Sequence, residues 1–143
     1  MKGVLRGTFN PVNSQKYIGK YPIVYRSSWE LTVMRMCDNN PNIIEWASES
    51  LKIPYVNPLT NKQTVYVPDF AVVLETKTGQ RKMEIWEIKP KKESMMEYSK
   101  TDKNRAALAV NAAKWQAATA WCQRMGATFR VITEDMIFRN HKR

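Results

Sequence analysis

The chain has 143 residues, which is the size of one ordinary domain and enough to bury about two-thirds of its unfolded surface in a single core. Lys and Arg total 23 against 13 Asp and Glu, and the net charge of +10 favours nucleic acid over an anionic membrane, because no amphipathic surface helix accompanies it. No apolar run approaches the roughly 20 residues that span a bilayer, and the N-terminus lacks the apolar region of a signal peptide, so we expect a soluble intracellular protein. The two cysteines lie far apart in the sequence, so we expect neither a disulfide framework nor a zinc site.

The first third of the chain predicts an arm, a helix and two short strands. Residues 1–25 are rich in Gly, Pro, Asn and Lys with scattered aromatics, which predicts a basic irregular N-terminal arm of a single 1–143 domain, ordered on a partner. Apolar residues at helical spacing predict a helix over 28–39, and Pro41 follows its end. Short β-type runs then follow at 43–46 and 51–55.

The rest of the chain predicts a hairpin, a long helix, a strand and a final helix start. A strand over 64–75 and a strand over 82–89 flank a turn at Thr78-Gly79. After a polar stretch, the Ala-rich segment 105–126 predicts the clearest helix, with Gly126 as its stop; a strand at 128–132 and a helix start at 133–135 complete the order. This order predicts an α/β or α+β core in which a short mixed sheet is flanked by helices.

Three charged residues interrupt the two strands of the predicted hairpin. Side chains alternate between the faces of a strand, so Glu87 and Lys89 are neighbours on one face. If the strands pair antiparallel, Asp69 lies opposite or diagonal to Glu87 only when the loop between them holds an odd number of residues. The alternative is that these residues form the solvated end of a hairpin.

Close approach of Asp69 and Glu87 would require a compensating cation. Two carboxylates about 4 Å apart repel by roughly 4 kcal/mol at an effective dielectric near 20. Hard oxygen ligands favour Mg²⁺ or Mn²⁺ over zinc, and a metal held there would orient a water and neutralise charge on a phosphate. Lys89 could steer that water or help to deprotonate it. These residues therefore predict phosphodiester hydrolysis.

Glu30 is the candidate third carboxylate, and it has two interpretations. It lies near the start of the first predicted helix, where it could reach the metal. It is also the last residue of Ser27-x-x-Glu30, a capping box in which the glutamate only caps the helix N-terminus. The pattern leaves both interpretations open.

These motifs together resemble a nuclease superfamily. The segments WEL at 29–31, PD at 68–69 and EIK at 87–89, followed by a helix with Lys114 and Gln116, resemble the PD-(D/E)XK nucleases. YRSSWEL, the run from Asn40 to Trp46, IPYVNPL, VPDF and EIKPK resemble more closely the head-completion nucleases of T4-type tailed bacteriophages, over residues 2–134. A looser similarity links PDF and EIKP to the endonuclease subunit of Tn7-like transposition.

The resemblance implies a restriction-endonuclease-like core and a Mg²⁺-dependent endonuclease of double-stranded DNA, with Mn²⁺ as a substitute. It implies an active site of Glu30, Asp69, Glu87 and Lys89, with the Ile88 carbonyl as a further metal ligand and Gln116 as a catalytic contributor. The protein would finish the packaged DNA end before tail attachment, with capsid, portal or neck proteins as partners. It would act in the host cytoplasm, with retention in the virion head left open. The alternative is a non-catalytic DNA-binding neck or portal-plug protein.

Basic residues after the EIK motif are the candidate DNA-backbone patch, although a charge run is usually a solvated surface. The predicted DNA-binding residues are Lys91, Lys92, Lys100, Lys103, Arg105 and Lys114. Trp115 lies on the apolar stripe of the long helix, which favours core packing over base stacking. His141 stands in a basic tail, which gives no indication of a catalytic role.

Overall fold

The structure is a computed structural model that describes residues 6–94 and 101–141. In chain order its strands are β1 (Gly7–Phe9), β2 (Ile23–Tyr25), β3 (Ile43–Ser48), β4 (Ile53–Val56), β5 (Gln63–Tyr66), β6 (Phe70–Glu75), β7 (Arg81–Ile88) and β8 (Ala127–Ile132). Its α-helices are α1 (Ser28–Asn39), α2 (Asp102–Met125) and α3 (Glu134–His141), and short 3₁₀ turns lie at Ser14–Lys16 and Lys91–Ser94.

The centre of the fold is a four-stranded sheet with the order β3-β6-β7-β8. Strand β6 pairs antiparallel with both β3 and β7, whereas β8 lies parallel to β7. Parallel neighbours need a crossover connection, and α2 lies between β7 and β8 in the chain. The predicted fold class, a short mixed sheet flanked by helices, is confirmed.

Alternating side chains of the sheet contribute to two separate cores. Val72 and Trp86 belong to the first core, which also contains Val33 of α1 and Ile137 of α3. The second core contains Tyr55 and Tyr66 of the separate β4–β5 hairpin and Ala118 of α2, and Phe129 of β8 packs against it. The sheet therefore has α1 and α3 on one side and α2 with the hairpin on the other.

Capping residues fix the ends of the two longer helices. Ser27 Oγ accepts from Glu30 N at 3.2 Å, so α1 begins at the predicted residue. Thr101 Oγ1 accepts from Asn104 N at 3.1 Å, and α2 begins three residues before the predicted start, because its polar first turn has no apolar periodicity. Gly126 has φ of +73° and ends α2 in the left-handed conformation, as predicted.

The predicted continuous strand over 64–75 is wrong, because the structure divides it into β5 and β6. Pro68 lies between the two parts and has no N–H to donate to a sheet ladder. The residues before it pair with β4 as a separate hairpin, whereas those after it enter the central sheet. Asp69 therefore lies at a junction where the chain changes sheets.

The predicted irregular arm is also wrong for the described residues 6–25. Strands β1 and β2 pair with each other, and Phe9, Tyr17 and Ile23 are buried in the first core. Three-residue strands have no periodicity to recognise in a sequence, and contacts with distant residues stabilise this segment. Residues 1–5 lie outside the described part of the chain.

The buried carboxylate of Asp38 attaches this segment to the end of α1. The two carboxylate oxygens accept from Val12 N and Asn13 N, each at 2.9 Å, and the main-chain carbonyl of Asp38 accepts from Asn13 Nδ2 and Lys16 Nζ.

Within residues 6–94 and 101–141, none of the helices has the length and apolar character needed to cross a bilayer.

Candidate active site

The register of β6 against β7 aligns the two carboxylates that the sequence singled out. Phe70 pairs with Trp86 and Glu75 with Arg81, so the connecting loop holds the five residues 76–80. The odd loop length meets the predicted condition. Extending the register by one residue places Asp69 across from Glu87, at the end of the sheet where β7 terminates.

Main-chain hydrogen bonds hold Asp69 between its two neighbouring strands. Its Oδ2 atom accepts from Ile88 N at 2.7 Å on the β7 side. Its carbonyl oxygen accepts from Glu49 N at 3.0 Å, just beyond the end of β3. The Asp69 carboxylate is therefore fixed beside the last residues of β7.

Glu87 is held by side chains from two directions. Its Oε1 accepts from the Tyr66 hydroxyl at 2.6 Å, and its Oε2 lies 3.9 Å from Lys89 Nζ. Burial raises the pKa of Tyr66, and the negative charge of Glu87 acts in the same direction, so this phenol stays protonated and donates. The side chains of Glu87 and Lys89 are only 14% and 22% exposed, so their charges are weakly screened.

A groove of about 450 Å³ opens beside Lys89 and runs along α2. We call it the α2 groove; its polar lining includes Lys89, Asn104, Asn111 and Lys114. Lys114 Nζ lies 5.7 Å from the ring centroid of Tyr66, within the distance of a cation–π contact. Tyr66, which donates to Glu87, thus lies on the same side of the sheet as the cations Lys89 and Lys114.

Glu30 has the capping role that the sequence left open. Ser27 Oγ accepts from Glu30 N, and Glu30 Oε1 accepts from Arg26 N at 2.9 Å. In the usual capping box the donor to the glutamate is the N-cap N–H itself, which lies one residue later. The hydrogen bond and charge of Glu49 raise the pKa of Arg26, and the charges of Glu30 and Asp69 add to this effect. Glu30 therefore caps α1, and its charge also acts on the Arg26 guanidinium, as the charge of Asp69 does.

The remaining predicted residues are less closely connected to this centre. Gln116 is exposed and lines a groove with Thr119 and Gln123 that is different from the groove lined by Lys89, so its catalytic role stays a prediction. Trp115 is half-buried against the second core, as predicted.

The predicted DNA-backbone patch is only partly described by the structure. Lys91 pairs with Asp135 at 3.3 Å, whereas Lys103 and Arg105 are exposed in the first turns of α2. Lys100 and the side chains of Lys92 and His141 lie outside the described part of the structure. Lys114, another predicted DNA-binding residue, lines the α2 groove and lies over the Tyr66 ring.

Sequence reasoning missed four residues of this region, namely Arg26, Glu49, Tyr66 and Asn111. Each reaches the site through a tertiary contact or a shared groove, and no short sequence spacing relates Arg26, Glu49 or Asn111 to the PD and EIK motifs. Tyr66 carries one weak signal, since it lies three residues before Asp69 in a β-type run.

The donor set fits a hard divalent cation. Among the described residues, no group of three His, Cys, Asp or Glu side chains is arranged around a metal position. Asp69 and Glu87 nevertheless offer two carboxylates across one strand pair. Mg²⁺ retains several waters and is commonly bound through one or two carboxylates together with substrate phosphates, so two carboxylates suit this ion.

Comparison with known proteins agrees with the fold and the motifs. Residues 40–134, which include Asp69, Glu87 and Lys89, match the family described as TnsA-like endonuclease N terminal. The chain is also 35% identical over 140 residues to the head completion nuclease of Enterobacteria phage T4, and this alignment covers 90% of the chain and 91% of the relative. The chain therefore belongs to the TnsA-like endonuclease N-terminal family, within the restriction-endonuclease-like superfamily, and the predicted likeness to head completion nucleases is confirmed.

Proposed function

We propose that this protein is a Mg²⁺-dependent DNA endonuclease that hydrolyses phosphodiester bonds of double-stranded DNA. The observation that carries the proposal is the arrangement of Asp69, Glu87 and Lys89 at one end of the central sheet, beside the α2 groove. Membership of an endonuclease family and the net charge of +10 support the same activity.

In this proposal Asp69 and Glu87 hold Mg²⁺, and the Ile88 carbonyl and Glu30 are further candidate ligands. A bound Mg²⁺ would supply charge neutralisation at the scissile phosphate and a more acidic water. Lys89 Nζ is kept beside Glu87 by charge attraction, where it can donate to a phosphate oxygen or orient the attacking water. Mn²⁺ is expected to replace Mg²⁺ because it accepts the same oxygen ligands.

The hydrogen bonds around the two carboxylates provide preorganisation. Ile88 N fixes Asp69 and the Tyr66 hydroxyl fixes Glu87, so neither side chain has to find its orientation when DNA arrives. Partners of this kind orient metal-binding carboxylates and commonly change activity by about 10–100-fold when removed. Tyr66 is therefore a positioning residue in the proposed mechanism.

We further propose that the substrate is the end of packaged DNA, processed in the host cytoplasm during head completion before the tail attaches. The name of the phage relative supports this step, and the relative is similar over nearly its whole length. Capsid, portal or neck proteins would then be the partners of this chain, and the +10 charge would favour retention on DNA.

The proposal is tested by plasmid nicking in Mg²⁺ and in EDTA, with the wild type, Asp69→Ala and Lys89→Ala. We expect nicking by the wild type in Mg²⁺ alone, and its loss in both variants with DNA binding retained. Arg81→Ala is a matched control, because Arg81 is exposed at the other end of β7. Nicking that survives EDTA or Asp69→Ala would contradict the proposed site. DNA binding without cleavage of linear, branched or nicked substrates would favour the DNA-binding neck protein instead.

A further inference from the structure

Charged residues extend beyond the carboxylate pair along the end of the central sheet. Glu49 follows the end of β3, Asp69 precedes β6, and Glu87 and Lys89 lie at the end of β7. Since neighbouring strands are about 4.8 Å apart, the ends of β3 and β7 are separated by roughly 10 Å. Asp69 thus lies between Glu49 on one side and Glu87 with Lys89 on the other.

Arg26 occupies the β3 side of this row and is anchored at two points. Its Nη1 lies 2.6 Å from Glu49 Oε2, and its main-chain N donates to Glu30 Oε1 at 2.9 Å. Glu49 has φ of +50°, a left-handed conformation that few residues other than glycine adopt, and its N–H donates to the Asp69 carbonyl. The Arg26 guanidinium is therefore attached, through Glu49, to the backbone of a proposed metal ligand.

The chemistry of this guanidinium suits a phosphate. Arginine presents five N–H donors in a planar fork that matches phosphate geometry, and Arg26 donates to Glu49 through Nη1. The side chain is 48% exposed, so a ligand can reach it from solvent. The hydrogen bond and charge of Glu49 raise the pKa of Arg26, and the charges of Glu30 and Asp69 act in the same direction.

We propose that Arg26, positioned by Glu49, binds a DNA backbone phosphate on the β3 side of the carboxylate pair, adjacent to the scissile phosphate. This inference depends on the proposed nuclease function. A backbone that lies across the sheet end would meet Arg26 on one side of the centre and Lys89 with Lys114 on the other. The competing role for Arg26 is that of a counter-ion for Asp69 and Glu30, without any contact to DNA.

DNA affinity as a function of salt separates these two roles. Measurements are made in Mg²⁺ in a Lys89→Ala background, where DNA is expected to bind without being cut, with and without Arg26→Ala. Loss of one phosphate contact should reduce the slope of log affinity against log salt by about 0.9 and weaken binding about tenfold. Arg26→Lys should recover part of the affinity but not the planar fork. Glu49→Gln should weaken binding less than Arg26→Ala, because the guanidinium remains.

Arg81→Ala in the same background is the control, because it removes the same charge at the hairpin end of the sheet. A slope that changes equally in the Arg26 and Arg81 variants would overturn the inference. It would also be overturned if Arg26→Ala left DNA affinity unchanged in the Lys89→Ala background but, in otherwise wild-type protein, shifted the Mn²⁺ concentration for half-maximal nicking. Thermal unfolding of each variant checks that the fold is retained.

Failure of the proposed function is distinguishable from failure of this inference. If the wild type never nicks DNA, the nuclease proposal fails, and the salt slopes still report whether Arg26 contacts phosphate. If the wild type nicks and Asp69→Ala does not, but Arg26→Ala binds DNA as the parent does, only the assignment of Arg26 is overturned.

Discussion

Asp38 and Asp69 are both aspartates held by main-chain N–H groups, yet their surroundings differ. Asp38 is 3% exposed, and both of its oxygens accept from the N-terminal segment, which it attaches to α1. Asp69 uses Oδ2 for Ile88 N and lies across from a second carboxylate, Glu87, whose partner Lys89 lines the α2 groove. A carboxylate enclosed by backbone donors stabilises the fold, whereas opposed carboxylates beside a groove can hold a cation.

The side chains around the two aspartates differ in the same way. Lys16 Nζ donates to the main-chain carbonyls of Asp38 and Asn40, and burial lowers the pKa of Lys16. Around Asp69 the cations form ion pairs with side-chain carboxylates: Lys89 pairs with Glu87, and Arg26 pairs with Glu49. Identical substitutions at the two aspartates should therefore affect different properties.

The largest effect is expected from Asp69→Asn. The amide can still accept from Ile88 N, but it has no charge for a divalent cation, so nicking should fall by at least about 10³-fold. The free energy of unfolding should change by less than about 1 kcal/mol, because the hydrogen bond can be kept. Single-turnover nicking and urea unfolding measure the two quantities. A large loss of stability would show that Asp69 is structural, as Asp38 is.

Asp38→Asn should give the opposite result. The asparagine side chain has one oxygen for the two main-chain N–H groups that donate to the Asp38 carboxylate, and we expect the free energy of unfolding to fall by about 2–3 kcal/mol. The melting temperature should fall on the order of 10 °C, and nicking per folded molecule at a permissive temperature should stay unchanged. If Asp38→Asn lost nicking but kept the stability of the wild type, the two aspartates would not differ in role as proposed.

Tyr66→Phe tests how far the groups around Glu87 control the centre. The ring stays in the second core while the hydrogen bond to Glu87 is lost, so nicking should fall about tenfold and more Mg²⁺ should be needed for half-maximal activity. Tyr55→Phe is the matched control, since Tyr55 is buried in the same hairpin. Equal rates in both variants would remove the positioning role of Tyr66.

The smallest effect concerns the start of α1. Ser27→Ala removes the hydroxyl that caps the helix and should lower the free energy of unfolding by about 1 kcal/mol, with nicking retained.

Glu30→Gln keeps an oxygen that can accept from Arg26 N but removes the charge, so nicking should fall if Glu30 ligates the metal. Parallel unfolding and nicking assays decide between capping alone and ligation. Unchanged nicking in Glu30→Gln would leave capping as its role.

Local signals in the sequence were sufficient for the helices and for most strands of the sheet. Ser27 and Gly126 are caps whose chemistry is readable within a few residues, so the start of α1 and the end of α2 were predicted correctly. The division at Pro68 and the strands within residues 6–25 were not predicted. Both depend on which distant strand or core a short segment contacts, and periodicity contains no such information.

By itself the sequence determined the residue types of the site and a condition on their geometry. Side chains alternate in a strand, so the loop between β6 and β7 had to be odd in length for Asp69 to lie opposite Glu87. Only the tertiary structure decided which groups surround this pair. Tyr66, Arg26 and Glu49 lie on separate elements, and packing of the hairpin, α1 and the sheet brings them to the same edge.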